Sequence, residues 1–85
     1  MTKILAIPHI HSNGTSRDVL VDDLCDAMNA IGDALNAIRD TAPNRRDYYT
    51  LPPVVLENAV AQHKARMDKL REVLNELEAI AEAVA

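Results

Sequence analysis

The sequence "VDDLCDAMNAIGDALNAI", residues 21–38, decides the fold of this chain. Its large apolar residues recur at alternating spacings of three and four positions: Val21, Leu24, Met28, Ile31, Leu35 and Ile38. A second row widens the stripe, namely Leu20, Ala27 and Ala34. This spacing predicts an α-helix with one apolar seam, the kind that packs against a second helix.

A second seam follows a proline-rich break at Pro43, Pro52 and Pro53. Its members are Leu56, Val60, His63, Met67, Leu70, Leu74, Leu77, Ala81 and Val84. A row that flanks it at intervals of seven contains Ala59, Arg66, Val73 and Ile80. The chain is therefore predicted to be all-α, an antiparallel helical hairpin. Pairing positions whose numbers sum to about 94 would set His63 beside Ile31.

The expected boundaries describe a single helical domain, residues 1–85. They are an extended arm and turn at 1–14, a first helix at 15–42, a loop at 43–52 and a second helix at 53–84. A short edge strand is an option for the arm, which Pro8 separates from the helix. Thr15 or Ser16 is the expected N-cap, and Asp18 makes a near capping box with Thr15.

The small size of the chain points to association. A lone hairpin of 85 residues leaves half of each apolar stripe in contact with water. The single cysteine, Cys25, forms no internal disulfide, and no zinc-binding pattern is present. We therefore expect a homo-oligomer, in which hairpins assemble into a helical bundle.

Composition excludes several classes of protein. The formal net charge of −4 argues against a protein that binds duplex nucleic acid. No apolar run is long enough to span a membrane, and "ILAI" at residues 4–7 is too short for the core of a signal peptide. These features, with the lone thiol, predict a cytoplasmic protein.

The polar sequence "HSNGTS", residues 11–16, leads into the first helix. Gly14 could adopt positive φ and expose backbone amides, while Thr15 and Ser16 would add hydroxyls at the positive end of the helix. Together with His11 and Asn13 they could bind phosphate or carboxylate. The alternative is that Asn13 and Gly14 turn the chain and Thr15 caps the helix. His9 and His11 could also hold a metal, but two ligands make a poor site, and none is predicted.

The loop sequence "PNRRDYY", residues 43–49, holds the second polar cluster. Arg45 and Arg46 offer bidentate contacts to phosphate, and Tyr48 and Tyr49 offer rings on which a base could stack. Alternatively, the arginines satisfy carbonyls at the end of the first helix and one tyrosine closes the end of the hairpin.

His63 and Arg66 form the third cluster, on what we expect to be the inward stripe of the second helix. Such a pair is either a buried register device or part of a ligand site with an anionic partner. Within one hairpin the Thr15 end lies too far from His63 for a small ligand to bridge them. An antiparallel neighbour would bring the Thr15 end of one chain towards Tyr48 and His63 of another, so a combined pocket would lie between subunits.

An acidic stripe lines the outer side of the first helix: Asp18, Asp22, Asp26, Asp33 and Asp40. It could imitate nucleic-acid phosphates and block a basic protein, although solvated helix faces often look the same.

Three segments resemble a group of short uncharacterised proteins of tailed phages and prophages. They are "HSNGTS", "APNRRDYY" and "AQHKARMDKLREVLNELE", and the resemblance covers most of residues 9–78. In that group the loop often reads PNGRDYY, so Arg45 stands where glycine is usual and Arg46 is the safer ligand. The resemblance carries no activity. It implies a context in which small acidic oligomers act as counter-defence factors.

The leading hypothesis is a non-enzymatic oligomer without a cofactor that sequesters a small phosphate-bearing immune signal, of the cyclic-nucleotide or ADP-ribose type. Its expected ligand residues are His11, Asn13, Gly14, Thr15, Ser16, Arg46, Tyr48, Tyr49, His63 and Arg66. The alternative is an inhibitor or assembly factor that binds a host defence protein through the acidic helix. An enzyme is the weakest option, because no nucleophile with a partner, metal set or cofactor loop is present. A phage-encoded chain would act in the host cytoplasm.

Overall fold

The computed structural model describes residues 4–85, and it contains two α-helices joined by a segment with one 3₁₀ turn. Helix α1 spans Arg17–Arg39, the 3₁₀ helix spans Arg45–Asp47, and α2 spans Pro53–Val84. The two α-helices pack against each other, which confirms the all-α helical hairpin. None of residues 4–85 lies in a β-strand, so the described part of the arm before α1 is not an edge strand.

Helix α1 begins at Arg17, two residues later than expected, because Ser16 has extended backbone with φ −65° and ψ 152°. The Ser16 hydroxyl oxygen accepts a hydrogen bond from the Val19 amide at 3.2 Å. This bond satisfies one of the amides that have no partner within the first turn of a helix. Ser16 is therefore the N-cap, and Thr15 does not form the expected capping box.

Helix α1 also ends earlier than expected, at Arg39 rather than at residue 42. The amides of residues 40–42 donate to carbonyls three positions earlier, at 2.9–3.2 Å, and the Thr41 hydroxyl donates to the Ile38 carbonyl at 2.7 Å. These tighter bonds satisfy the last carbonyls of the helix. Pro43 follows and has no amide hydrogen with which to continue the ladder.

Arg17 joins the beginning of α1 to the end of α2. Its Nε donates to the Val84 carbonyl at 2.7 Å in a partly buried contact, so the two helices run antiparallel. At 1.5 Å per residue, α1 then ends roughly opposite residue 62, and His63 lies near the level of Ile38. The expected pairing of His63 with Ile31 is therefore wrong. The helices differ in length, with 23 residues in α1 and 32 in α2, which shifts the pairing.

The first turns of α2 extend about 14 Å beyond the end of α1. Val55 and Leu56 are nevertheless half-buried, as are Pro43 and Tyr48 in the connecting segment. Since α1 does not reach this level, the connecting segment covers the beginning of α2. Val60 occupies a seam position but is 51% exposed, because it lies just past the end of α1.

The hairpin buries little apolar surface. Among residues 4–85 only Met67 and Val84, both in α2, are buried. Every seam residue of α1 is half-buried. The molecule measures 62 × 27 × 15 Å and has a radius of gyration of 18.3 Å. A compact domain of this length has a radius of gyration of about 12 Å. The hairpin is therefore a single layer of helices with both faces open to solvent.

The exposed side of α2 carries a small ion-pair network. Lys64 Nζ lies 2.7 Å from a carboxylate oxygen of Asp68, and Arg71 lies 3.4 Å from the other oxygen. The hydrogen bond from Lys64 lowers the pKa of Asp68. In the described part of the chain, neither helix combines the length and the apolar character that a membrane span requires.

Replacement of the cap tests the beginning of α1. Ser16→Ala should lower the free energy of unfolding by about 1 kcal/mol, because the Val19 amide loses its acceptor. Urea denaturation followed by circular dichroism, at one fixed protein concentration, measures this change. Thr15→Ala is the matched control and should have little effect. Equal losses for the two variants would contradict the assignment of Ser16 as the cap.

Candidate functional site

The segment before α1 forms a tight turn around His11. The Gly14 amide donates to the His11 carbonyl at 3.1 Å, and the Asn13 amide donates to Nδ1 of the same histidine at 3.3 Å. Gly14 does not have positive φ, contrary to the expectation. Its importance is steric instead, because a Cβ at Gly14 would lie 2.9 Å from His11 Nε2. The glycine therefore makes room for the imidazole ring.

The two histidines of the arm lie together. The ring centroids of His9 and His11 are 5.8 Å apart with an interplanar angle of 15°, and both side chains are exposed. Within residues 4–85, no group of three or more His, Cys, Asp or Glu residues is arranged to hold a metal ion. The stacked rings form a flat polar surface beside the turn.

Next to this turn is the N-terminus of α1. The Ser16 hydroxyl is occupied by the Val19 amide, so for Ser16 the capping alternative is the one observed. The amides of Arg17 and Asp18 belong to the first turn and have no carbonyl partner within the helix. The exposed Thr15 hydroxyl makes no hydrogen bond to the described residues. Thr15 and these two amides could therefore contact an anion.

The connecting segment holds Arg46 in place through Asn44. The Asn44 side-chain oxygen accepts from the Arg46 amide at 3.0 Å and from Arg46 Nε at 3.3 Å. Since Nε is engaged, Arg46 would contact an anion through its terminal Nη groups. Tyr48 is half-buried and Tyr49 is 77% exposed, so Tyr49 offers the more accessible ring for stacking.

His63 and Arg66 differ in their surroundings. His63 is half-buried, and its ring has no hydrogen-bond or ion-pair partner among residues 4–85. Arg66 is exposed, so the expectation that it points inward is wrong. Arg66 lies one position before the seam residue Met67, which turns its side chain about 100° away from the seam. A half-buried polar ring without a partner among the described residues could form a hydrogen bond with a ligand or a second chain.

The candidate residues lie in separate regions of the hairpin. The turn and Ser16 lie beside Val84 at the open end, and the connecting segment lies at the closed end, about 34 Å along α1. Two grooves on the described surface are lined by other residues. One is formed by Leu5, Asp68, Arg71, Glu72, Asn75 and Glu76, and the other by Arg17, Asp18, Val21, Asp22 and Ala85. One chain alone therefore does not bring the candidate residues together.

Two residues that are not among the expected ligand residues organise these regions. Asn44 orients Arg46, and Arg17 fixes the open end. The position of Asn44 just before a helical turn is a recognisable capping signal. Arg17 gave no such signal, because its partner is a carbonyl 67 positions away.

The two glycines offer a matched test of the turn. Gly14→Ala should displace the His11 ring and change its imidazole resonances and those of His9, while stability changes by less than about 0.5 kcal/mol. Gly32→Ala, where a Cβ would meet open space, should stabilise α1 by roughly 0.5–1 kcal/mol. It should leave the histidine resonances unchanged. Nuclear magnetic resonance of the imidazole groups checks both results, and unchanged His11 signals in Gly14→Ala would contradict the steric role.

Comparison of the chain with protein-family models, curated proteins and solved structures gave no match in any of the three.

Proposed function

We propose that this chain is a non-enzymatic counter-defence protein of the phage type. It binds a small phosphate-bearing immune signal of the nucleotide type in pockets between copies, and it acts by sequestering that signal in the cytoplasm of the host cell. The observation that carries the proposal is the placement of anion-binding groups at both ends of a thin hairpin. Because the hairpin needs further burial, antiparallel copies would bring opposite ends together.

The open end would supply contacts to phosphate. The Thr15 hydroxyl and the first amides of α1 are exposed there, and the helix dipole favours negative charge at this position. The stacked pair of His9 and His11 lies beside the same turn. Ser16, Asn13 and Gly14 would contribute by shaping this end, since their observed contacts are local.

The closed end would supply charge and a stacking surface. Arg46 is held by Asn44, and its terminal nitrogens suit bidentate contacts to a phosphate. Tyr49 is exposed, and an aromatic ring beside a guanidinium group suits a nucleobase. His63 and Arg66 follow on α2, next to this end. The half-buried Tyr48 would hold the connecting segment against α2. In the proposed pocket, these groups of one copy and the open end of another copy contact the same ligand.

Calorimetry with cyclic dinucleotides and ADP-ribose derivatives tests this function, with inorganic phosphate as the reference ligand. We expect binding of at least one nucleotide, and Arg46→Ala should weaken it about tenfold or more because a charge-assisted contact is lost. Arg45→Ala is the matched control, because the Arg45 side chain makes no hydrogen bond to Asn44 whereas Arg46 Nε does. The ligand should be recovered chemically unchanged after the protein is denatured.

Two results would count against this function. Absence of binding by the whole panel at high micromolar concentration would remove the nucleotide hypothesis. Conversion of the ligand into another compound would show that the protein is an enzyme. Equal effects of the Arg45 and Arg46 substitutions would remove Arg46 from the site.

A second candidate function is inhibition or assembly of a host defence protein through the acidic side of α1. It is favoured by the exposure of every aspartate in that stripe: Asp18, Asp22, Asp26, Asp33 and Asp40. A row of exposed carboxylates attracts a basic protein surface.

Charge reversal distinguishes this second candidate. Asp22→Lys with Asp26→Lys should abolish recovery of a single host protein in a pull-down, whereas Arg46→Ala should not. Glu57→Lys with Glu78→Lys makes the same change in charge on α2 and is the control. Retention of the partner by the α1 variant would contradict the acidic interface.

A further inference from the structure

The two sides of the hairpin differ in chemistry. Each seam is flanked by two rows, and the row that comes one position before Val21, Met28 and Leu35 contains Leu20, Ala27 and Ala34. The corresponding row on α2 contains Ala59, Arg66, Val73 and Ile80. Two antiparallel helices are related by a two-fold axis perpendicular to the plane that contains them. The row before the seam on α1 and the row before the seam on α2 therefore lie on the same side of the hairpin.

We call these two rows the apolar face, and Arg66 is its one charged member. The rows on the other side form the polar face, which contains Cys25, Gly32, Arg39, Glu57, Lys64, Arg71 and Glu78. Lys64 and Arg71 of the polar face form ion pairs with Asp68, and the charged side chains of this face favour exposure to solvent. The apolar side chains of the other face gain nothing from ion pairs and are stabilised only by burial against other apolar groups.

The described part of the N-terminal arm does not cover Val73 on the apolar face. Leu5 lines a groove with Asp68, Arg71, Glu72, Asn75 and Glu76. At 3.6 residues per turn, these positions lie roughly 60–160° around α2 from Val73. Val73 is 45% exposed, and the described part of the chain therefore leaves the apolar face open.

The chain exposes more area than a compact monomer of the same mass. A compact monomer of 9.3 kDa exposes about 5,000 Å². This chain exposes 6634 Å². The excess of roughly 1,600 Å² per chain lies within the range that each subunit buries in an obligate homodimer.

We propose that the apolar face is covered by the apolar face of a second copy, packed antiparallel about a two-fold axis at the level of Ala27 and Val73. This inference deepens the proposed function, which needs pockets between copies, by naming the interface that forms them. The contact of Arg17 with Val84 sets Ala27 and Val73 at nearly the same level.

The charges at the margins fit this arrangement. Along the helices, Asp23 lies about 6 Å from the level of Ala27 towards the open end, and Arg66 lies about 10 Å from the level of Val73 towards the closed end. The two-fold axis reverses these directions in the second copy. Asp23 of one copy therefore lies within about 5 Å of the level of Arg66 of the other, so the packing sets opposite charges at neighbouring levels of the interface.

The same axis brings together two of the candidate ligand regions. Ser16 lies about 16 Å from the level of Ala27, and His63 lies about 15 Å from the level of Val73, in opposite directions. The N-terminus of α1 in one copy then lies at the level of the unpartnered His63 ring in the other. The interface thus explains how open-end and closed-end groups could share a ligand.

Two valines of α2 provide the test. Val73→Glu should raise the dissociation constant of the assembly at least about tenfold, because the carboxylate would be buried between apolar faces. Val60→Glu introduces the same change at a residue of similar exposure about 140° around the helix, and it should leave assembly intact. Sedimentation velocity over a range of concentrations measures both, with circular dichroism to establish that the variants are helical.

A cross-link gives a second measurement that does not depend on destabilisation. In a Cys25→Ser background, Val73→Cys chains should form disulfide-linked dimers on oxidation, because the two-fold axis passes at this level and sets α2 of one copy against α2 of the other. A monomeric wild type, unchanged assembly of Val73→Glu, equal losses for Val60→Glu, or absence of the Val73→Cys disulfide would overturn the interface. If the interface holds and no nucleotide binds, the proposed function alone fails. If a nucleotide binds and Val73→Glu assembles normally, this inference alone fails.

Discussion

The seam between α1 and α2 is the contact on which the whole structure depends. It is a single row of apolar side chains on each helix, and only Met67 and Val84 are buried in the described part of the chain. Hydrophobic burial is the main favourable term in folding, and here it is spread thinly along an elongated layer. The cap at Ser16 and the bond from Arg17 to the Val84 carbonyl hold the open end together beside the buried side chain of Val84. A chain built in this way gains most from additional surface supplied by association.

The helices themselves could be predicted from the sequence, because alternating spacings of three and four are specific to a helical seam and prolines mark its interruptions. The end of α1 could not be placed as well. Residues 40–42 have no helix-breaking side chain, and the switch to bonds three positions apart depends on the Thr41 hydroxyl and the approach to Pro43. The pairing of the helices was also mispredicted. Sequence spacing gives the rows on each helix, but only a contact between distant residues, such as Arg17 with Val84, sets one row against the other.

The candidate site was predictable in kind rather than in detail. Polar residues before the first helix indicated a cap or an anion site, and both Thr15 and Ser16 have a hydroxyl that could cap it. The structure distinguishes them because only Ser16 bonds to the Val19 amide. Gly14 was assigned to backbone freedom, yet its lack of a Cβ serves the His11 ring. Arg66 is expected on the inward stripe, yet it belongs to the row that flanks the seam and is exposed. Since each residue turns a side chain about 100°, one position separates the seam from its flank.

The unequal lengths of α1 and α2 have a consequence for the closed end. Because the first turns of α2 project beyond α1, the connecting segment serves as a wall for them, and Pro43 and Tyr48 take the place of a missing helical turn. A flexible linker of the same length would join the helices equally well but would leave Val55 and Leu56 exposed to solvent. Length and composition in this segment are therefore constrained by packing as well as by chain connectivity. The residues that could vary freely there are those whose side chains point away from α2.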